Sequence, residues 1–161
     1  MFIALLLRFF GGGMLLLAVV VAASTEGEKA PSIKTVTIAT IKDKSHIGEC
    51  GCWLNTIGGS SNSTVFYSEN AGPGSKGWMN IDGADTQVLL DEVKRPKKRL
   101  KKGEGFTEFY SSDSIKVRVE YILTRPCESE DCESWGLDAK ITVTRGKTRG
   151  TLSVTGECGC G

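Results

Sequence analysis

Polar and apolar residues alternate along much of this chain with the period of two that half-buried strands require. The pattern is plainest at Ile115-Lys116-Val117-Arg118-Val119-Glu120-Tyr121, where apolar and charged side chains take turns. The same alternation, or a short β-branched and aromatic run, predicts strands at residues 34–41, 47–54, 64–68, 77–81, 86–90, 106–110, 115–123, 137–145 and 151–155. No segment sustains the period of an amphipathic helix.

Turn chemistry separates these runs. Asp82-Gly83 stands between Trp78-Met79-Asn80-Ile81 and Thr86-Gln87-Val88-Leu89-Leu90, and an Asp-Gly pair accepts the positive φ values of a tight hairpin turn. Residues 145–150, Arg-Gly-Lys-Thr-Arg-Gly, join the Ile141-Thr142-Val143 run to the last strand in the same way. Many short strands joined by hairpin turns, with no helices between them, predict an all-β domain: a single antiparallel β-barrel or β-sandwich.

The N-terminus breaks the alternation. Arg8 is the only charge in the first 25 residues, and an apolar run from Met14 to Ala23 ends on small residues. This is the form of a signal peptide, residues 1–23, with cleavage after Ala23. An uncleaved anchor is the alternative, since 23 residues are long enough to span a bilayer. Residues 24–32 are polar and aperiodic and read as a flexible lead, leaving residues 33–161 as one β domain. Removing Arg8 with the signal leaves 19 basic and 19 acidic residues, so overall charge argues for neither nucleic acid nor membranes as partners.

Export changes how the six cysteines read. Cys50-Gly51-Cys52 and Cys158-Gly159-Cys160 lie near the two ends of the domain, and residues i and i+2 of a strand project to one face. If the first and last long strands are antiparallel neighbours, Cys50 meets Cys160 and Cys52 meets Cys158. Cys127 and Cys132 bracket an acidic stretch and suit a short local bridge. Six cysteines allow fifteen pairings, and four thiolates could instead hold zinc or copper(I). An oxidising compartment favours disulfides.

Local charge adds one candidate. Residues 94–102 carry seven cations in nine positions: Lys94, Arg95, Lys97, Lys98, Arg99, Lys101 and Lys102. In an exported protein this run would contact an acidic protein or an anionic envelope surface, or form a solvated connector held extended by Pro96 and like-charge repulsion. No aromatic residues interleave with it for base stacking, so nucleic acid is not an expected partner.

Other candidates are weaker. Glu128, Glu130, Asp131 and Glu133 form one oxygen-rich set and Asn80, Asp82 and Asp85 another, but neither has the spacing of an EF-hand, and solvated turns are the expectation. His46, the single histidine, follows Ser45 with no nucleophile elbow and reads as an exposed loop residue. Trp53, Trp78 and Trp135 are expected to pack the core or cover the disulfides, although saccharide binding could use the same rings. Asn62-Ser63-Thr64 is a glycosylation sequon only in a eukaryotic secretory pathway.

The segments Gly77-Trp78-Met79-Asn80-Ile81-Asp82-Gly83, Ile115 to Tyr121, Ala139-Lys140-Ile141-Thr142-Val143-Thr144 and Gly156-Glu157-Cys158-Gly159-Cys160 resemble a group of small exported bacterial proteins of unknown function. That resemblance covers most of the exported chain and transfers no catalytic, cofactor or metal residue. In size, export and β content the chain is also similar to periplasmic inhibitors of C-type lysozyme, small antiparallel barrels with a disulfide, and Phe109-Tyr110-Ser111-Ser112-Asp113 looks like a stretch of that family. The expectation is a periplasmic or secreted, non-catalytic binding or structural domain without a cofactor. An inhibitor of an envelope-targeting enzyme is the concrete alternative, and a thiolate metal protein or a hydrolase is the remainder.

Overall fold

The structure, a computed structural model, describes residues 35–59, 61–69, 71–127 and 133–160, all within one compact unit, Ser32–Gly161. The expected signal peptide and lead lie outside the described residues, as do Cys132, Glu128, Glu130 and Asp131.

After a two-residue strand, β1 (Ile38–Ala39), come β2 (Cys50–Thr56), β3 (Thr64–Ser68), β4 (Lys76–Ile81), β5 (Ala84–Lys94), β6 (Gly105–Ser112), β7 (Ile115–Arg125), β8 (Ser134–Arg145) and β9 (Thr148–Cys160). From β2 onward each strand pairs antiparallel with the next, and β9 returns to pair with β2. The result is a closed eight-stranded barrel. Of the two predicted architectures, the barrel is the one formed.

Alternation sets what faces inward. On β7, Ile115, Val117, Val119, Tyr121 and Leu123 are buried while Lys116, Arg118 and Ile122 point out. Leu54, Phe66, Met79, Val88, Leu137, Ile141 and Val154 join them from the other strands, so side chains fill the interior. At one end three of the four connections are tight hairpins, with Asp82 and Gly83 at φ 53° and 87° and Asp113 and Gly146 at 43° and 58°, and the fourth, 57–63, is longer. The opposite end carries the longer connections 69–75, 95–104 and 126–133.

Residues 34–41 depart from expectation. Only Ile38–Ala39 pairs as strand, against Ile81 and Asn80 of β4, because this segment is a strap across the hairpin end. Val36 and Ile41 are buried at 6% and 1% exposure and close that end. Asp82 accepts from Thr37 N at 2.8 Å, and Asp85 accepts from Lys42 N at 2.9 Å and Asp43 N at 2.8 Å.

Residues 47–49, expected to begin a strand, instead continue the strap outside the barrel. There Trp53, Tyr67 and Trp78 stand in register across β2, β3 and β4. Gly48 O accepts from Trp53 Nε1 at 3.2 Å and Cys50 O from the Tyr67 hydroxyl at 2.7 Å. With the core on one side and the strap on the other, all of Thr64–Ser68 is buried.

Candidate functional site

The pairing of β2 with β9 places Cys50 opposite Cys160 and Cys52 opposite Cys158. Both pairs are disulfides, with Cα atoms 4.0 Å apart in each. The inner pair is buried and belongs to the core, whereas Cys50 and Cys160 are exposed. The intervening glycines face one another, and a Cβ on Gly51 would lie 2.2 Å from Ser68 O and one on Gly159 2.1 Å from Glu133 O. The Cys-Gly-Cys spacing is therefore steric as well as covalent: only glycine admits the neighbouring backbone at that point. Oxidation leaves these four sulfurs no thiolate to offer, which overturns the zinc or copper(I) alternative for the two Cys-Gly-Cys pairs. Cys127 is also disulfide-bonded, but its expected partner, Cys132, lies outside the described residues.

The basic run forms the loop between β5 and β6 at this same end. It is solvated, with every residue from Lys94 to Lys102 except Leu100 exposed, but it is pinned at specific points rather than held by repulsion alone. Leu100, the only aliphatic residue in the run, is 4% exposed and packs into the core from the barrel mouth. The guanidinium of Arg95 lies over the rings of Phe106 and Trp135, at 5.2 and 4.9 Å from their centroids. Glu104 accepts from Lys98 Nζ at 2.6 Å and from Lys101 N at 2.9 Å. The Lys98 bond, then the Lys101 backbone, hold its carboxyl below the usual range. Backbone bonds from Gly103 N to Leu123 O and from Leu123 N to Glu104 O, at 2.8 and 2.9 Å, tie the loop to β7.

The seven cations thus divide. Lys94 lies 4.7 Å from the Phe109 ring centroid and 3.6 Å from Glu92, Arg95 covers the mouth, and Lys98 is paired. Arg99 donates to Cys127 O, while Lys97, Lys101 and Lys102 make no side-chain ion pair among the described residues. Arg99, Leu100, Lys101 and Lys102 with Pro126 and Cys127 line a cavity of about 440 Å³.

Inside the barrel lies a feature the sequence reading missed. Phe106, Glu108 and Tyr110 share the inward face of β6, so a carboxyl is carried into the core. Glu108 is 3% exposed and accepts from the Tyr110 hydroxyl at 2.6 Å. Burial pushes the Glu108 acid up against the opposing pull of that bond. Burial likewise raises both Tyr110 and Tyr121, whose hydroxyl is enclosed without a hydrogen bond of ordinary geometry. An acid in the apolar phase of Phe106-Thr107-Glu108-Phe109-Tyr110 was the available signal.

The other candidates are structural. Asp82 binds Arg145 at 2.6 Å besides Thr37 N, and Asp85 accepts from Asn80 Nδ2 at 2.6 Å besides the strap. These groups are fasteners rather than free calcium ligands or solvated turns. His46 is no bare loop histidine: it lies in a 3-10 turn, Lys44–His46, with its ring stacked on Trp78 at 3.7 Å. Trp53 and Trp78 are covered by the strap rather than by core or disulfides, while Trp135 packs against the core opposite Cys158.

A larger cleft of about 950 Å³ runs outside β6 to β9 past Ile57 and Ile122, and Glu108 does not reach it. No family model, curated protein or solved structure matches the chain.

Proposed function

We propose that this is an exported, non-catalytic binding protein that docks an anionic partner through the basic loop at the disulfide end of its barrel. The observation that carries the reading is that the loop is ordered. Leu100 and the Glu104 clamp hold its backbone, so Lys97, Arg99, Lys101 and Lys102 are displayed from a fixed frame. A preformed cationic surface loses little conformational freedom on binding and steers anions toward itself. The disulfides suit an oxidising compartment. The most enclosed acid among the described residues, Glu108, lies in the core, and the single histidine is occupied by Trp78.

Within this reading, inhibition of a C-type lysozyme is the specific form favoured by the small disulfide-bonded barrel, with the basic loop approaching an acidic cleft. The test replaces Lys97, Lys98, Arg99, Lys101 and Lys102 by Gln and titrates both proteins with anionic vesicles, lipopolysaccharide and a C-type lysozyme at two ionic strengths. The parent should bind one of these with a steep salt dependence that the variant lacks. Equal, negligible binding by both proteins to all three refutes the reading.

A further inference from the structure

The basic loop does not present its charges as a uniform patch. Three of its cations, Arg99, Lys101 and Lys102, border one cavity of about 440 Å³, and no acid lines it among the described residues. The nearby carboxylate, Glu104, is already bound by Lys98 and the Lys101 amide. Leu100, Pro126 and Cys127 complete the wall. Arg99 donates one guanidinium N–H to Cys127 O, which leaves others to donate.

We propose that this cavity is a phosphate-binding pocket that takes the phosphomonoester group of a small molecule or lipid headgroup. The inference rests on the anionic-partner reading and takes it in a small-ligand or lipid form in place of the lysozyme form. A cavity of this volume lies at the small end of ligand sites and admits a headgroup rather than the face of a folded partner. A phosphomonoester carries close to two negative charges near neutral pH and three strong acceptor oxygens, which match a guanidinium fork and two ammonium groups. A phosphodiester or a carboxylate offers a single charge and only two terminal oxygens. The pocket should therefore discriminate by charge per group and not only by charge density.

The test uses the purified, oxidised protein and three variants: Lys102→Gln, Lys101→Gln/Lys102→Gln and, as a control on the same loop, Lys97→Gln. Vesicles containing phosphatidic acid are compared with vesicles of phosphatidylglycerol matched for surface charge. Inorganic phosphate and glycerol phosphate are titrated in parallel, followed by amide chemical shifts. The parent should prefer phosphatidic acid at least fivefold, with shifts centred on residues 99–102 and 126–127. The double variant should lose that preference, and Lys97→Gln should keep it. Shifts with the soluble phosphates identify a small molecule as a sufficient ligand, and binding seen only on vesicles assigns the group to a lipid headgroup. Equal affinity for both vesicle types, with equal losses from Lys97→Gln and Lys102→Gln, overturns the pocket while leaving the anionic-surface reading in place. No binding to any probe or to the partners named above overturns both.

Discussion

Removing one of the two cross-strand bridges and removing both should have very unequal consequences, because the bridges close nearly the same loop. Cys50–Cys160 spans 110 residues and Cys52–Cys158 spans 106. Either bridge alone, closing a loop of that size, restricts the unfolded chain enough to contribute about 4.7 kcal/mol in the chain-entropy treatment. Once one is in place, the second closes only the short ring made by two residues of each strand, for which the same relation gives about 2 kcal/mol. The Cys50→Ala/Cys160→Ala protein should therefore lose only about 1–2 kcal/mol, since that pair is exposed at the rim. The Cys52→Ala/Cys158→Ala protein should lose somewhat more, because those sulfurs are core atoms at 1% exposure whose removal leaves a void. Removing all four should cost about 6–7 kcal/mol, beyond the roughly 4 kcal/mol sum of the entropic losses in the singles.

Urea denaturation of the four proteins, followed by tryptophan fluorescence under non-oxidising, non-reducing conditions, measures the cycle directly. The slope with denaturant should rise mainly in the protein lacking both bridges, where the unfolded chain can expand. If each pair alone costs about 4–5 kcal/mol and the costs add, the nested-loop reasoning is wrong and the bridges act through the native state instead.

Two further predictions concern the barrel mouth. Glu108→Gln should flatten the pH dependence of stability and make the protein more stable than the parent at pH 8. Burial raises the folded-state value of Glu108, so its contribution is full below the unfolded carboxyl range and is lost as pH rises through the folded value. Denaturation of both proteins from pH 4 to 9 isolates that residue, and superimposable pH profiles would refute the assignment. Leu100→Ala should cost about 2–5 kcal/mol and expose the 95–104 loop to proteolysis, as expected for a buried anchor. A loss below about 0.5 kcal/mol would return the loop to a surface connector.

Strand positions and their antiparallel hairpin order were legible because each signal was local, alternation within a run and Asp-Gly or Gly-Lys between runs, whereas closure into a barrel rather than a sandwich was not. The pairing of the two Cys-Gly-Cys segments followed from their i, i+2 spacing on the condition that the first and last long strands are antiparallel neighbours, which β2 and β9 are. The strap was not legible. Residues 34–41 alternate as a strand does, but their bonding is decided by Asp82 and Asp85, more than forty residues away. Acid spacing alone could not show that these carboxylates bind backbone amides. At the site, the sequence displayed the cations and hid their arrangement. Leu100 was the one residue in the run able to fold it down, yet a lone leucine among seven cations weighs little in any compositional argument. Glu108 was hidden for the converse reason, since a charged residue in a strand is ordinarily assigned to the outer face.

Barrel closure also limits how another chain can approach. Each of the eight barrel strands has a neighbour on both sides. Where β3 stops short, at its pairing with Met79, β1 takes the remaining Asn80 and Ile81 of β4. The short β1, bonded on one side only, is the nearest thing to an open edge among the described strands. A foreign strand therefore finds no row of vacant amides and carbonyls to extend, so strand addition is closed both to partners and to runaway self-association. What remains for recognition is side chains, on the loops or along the outer cleft of β6 to β9, and a variant that frees the strap would bare only the two β4 residues that β1 covers.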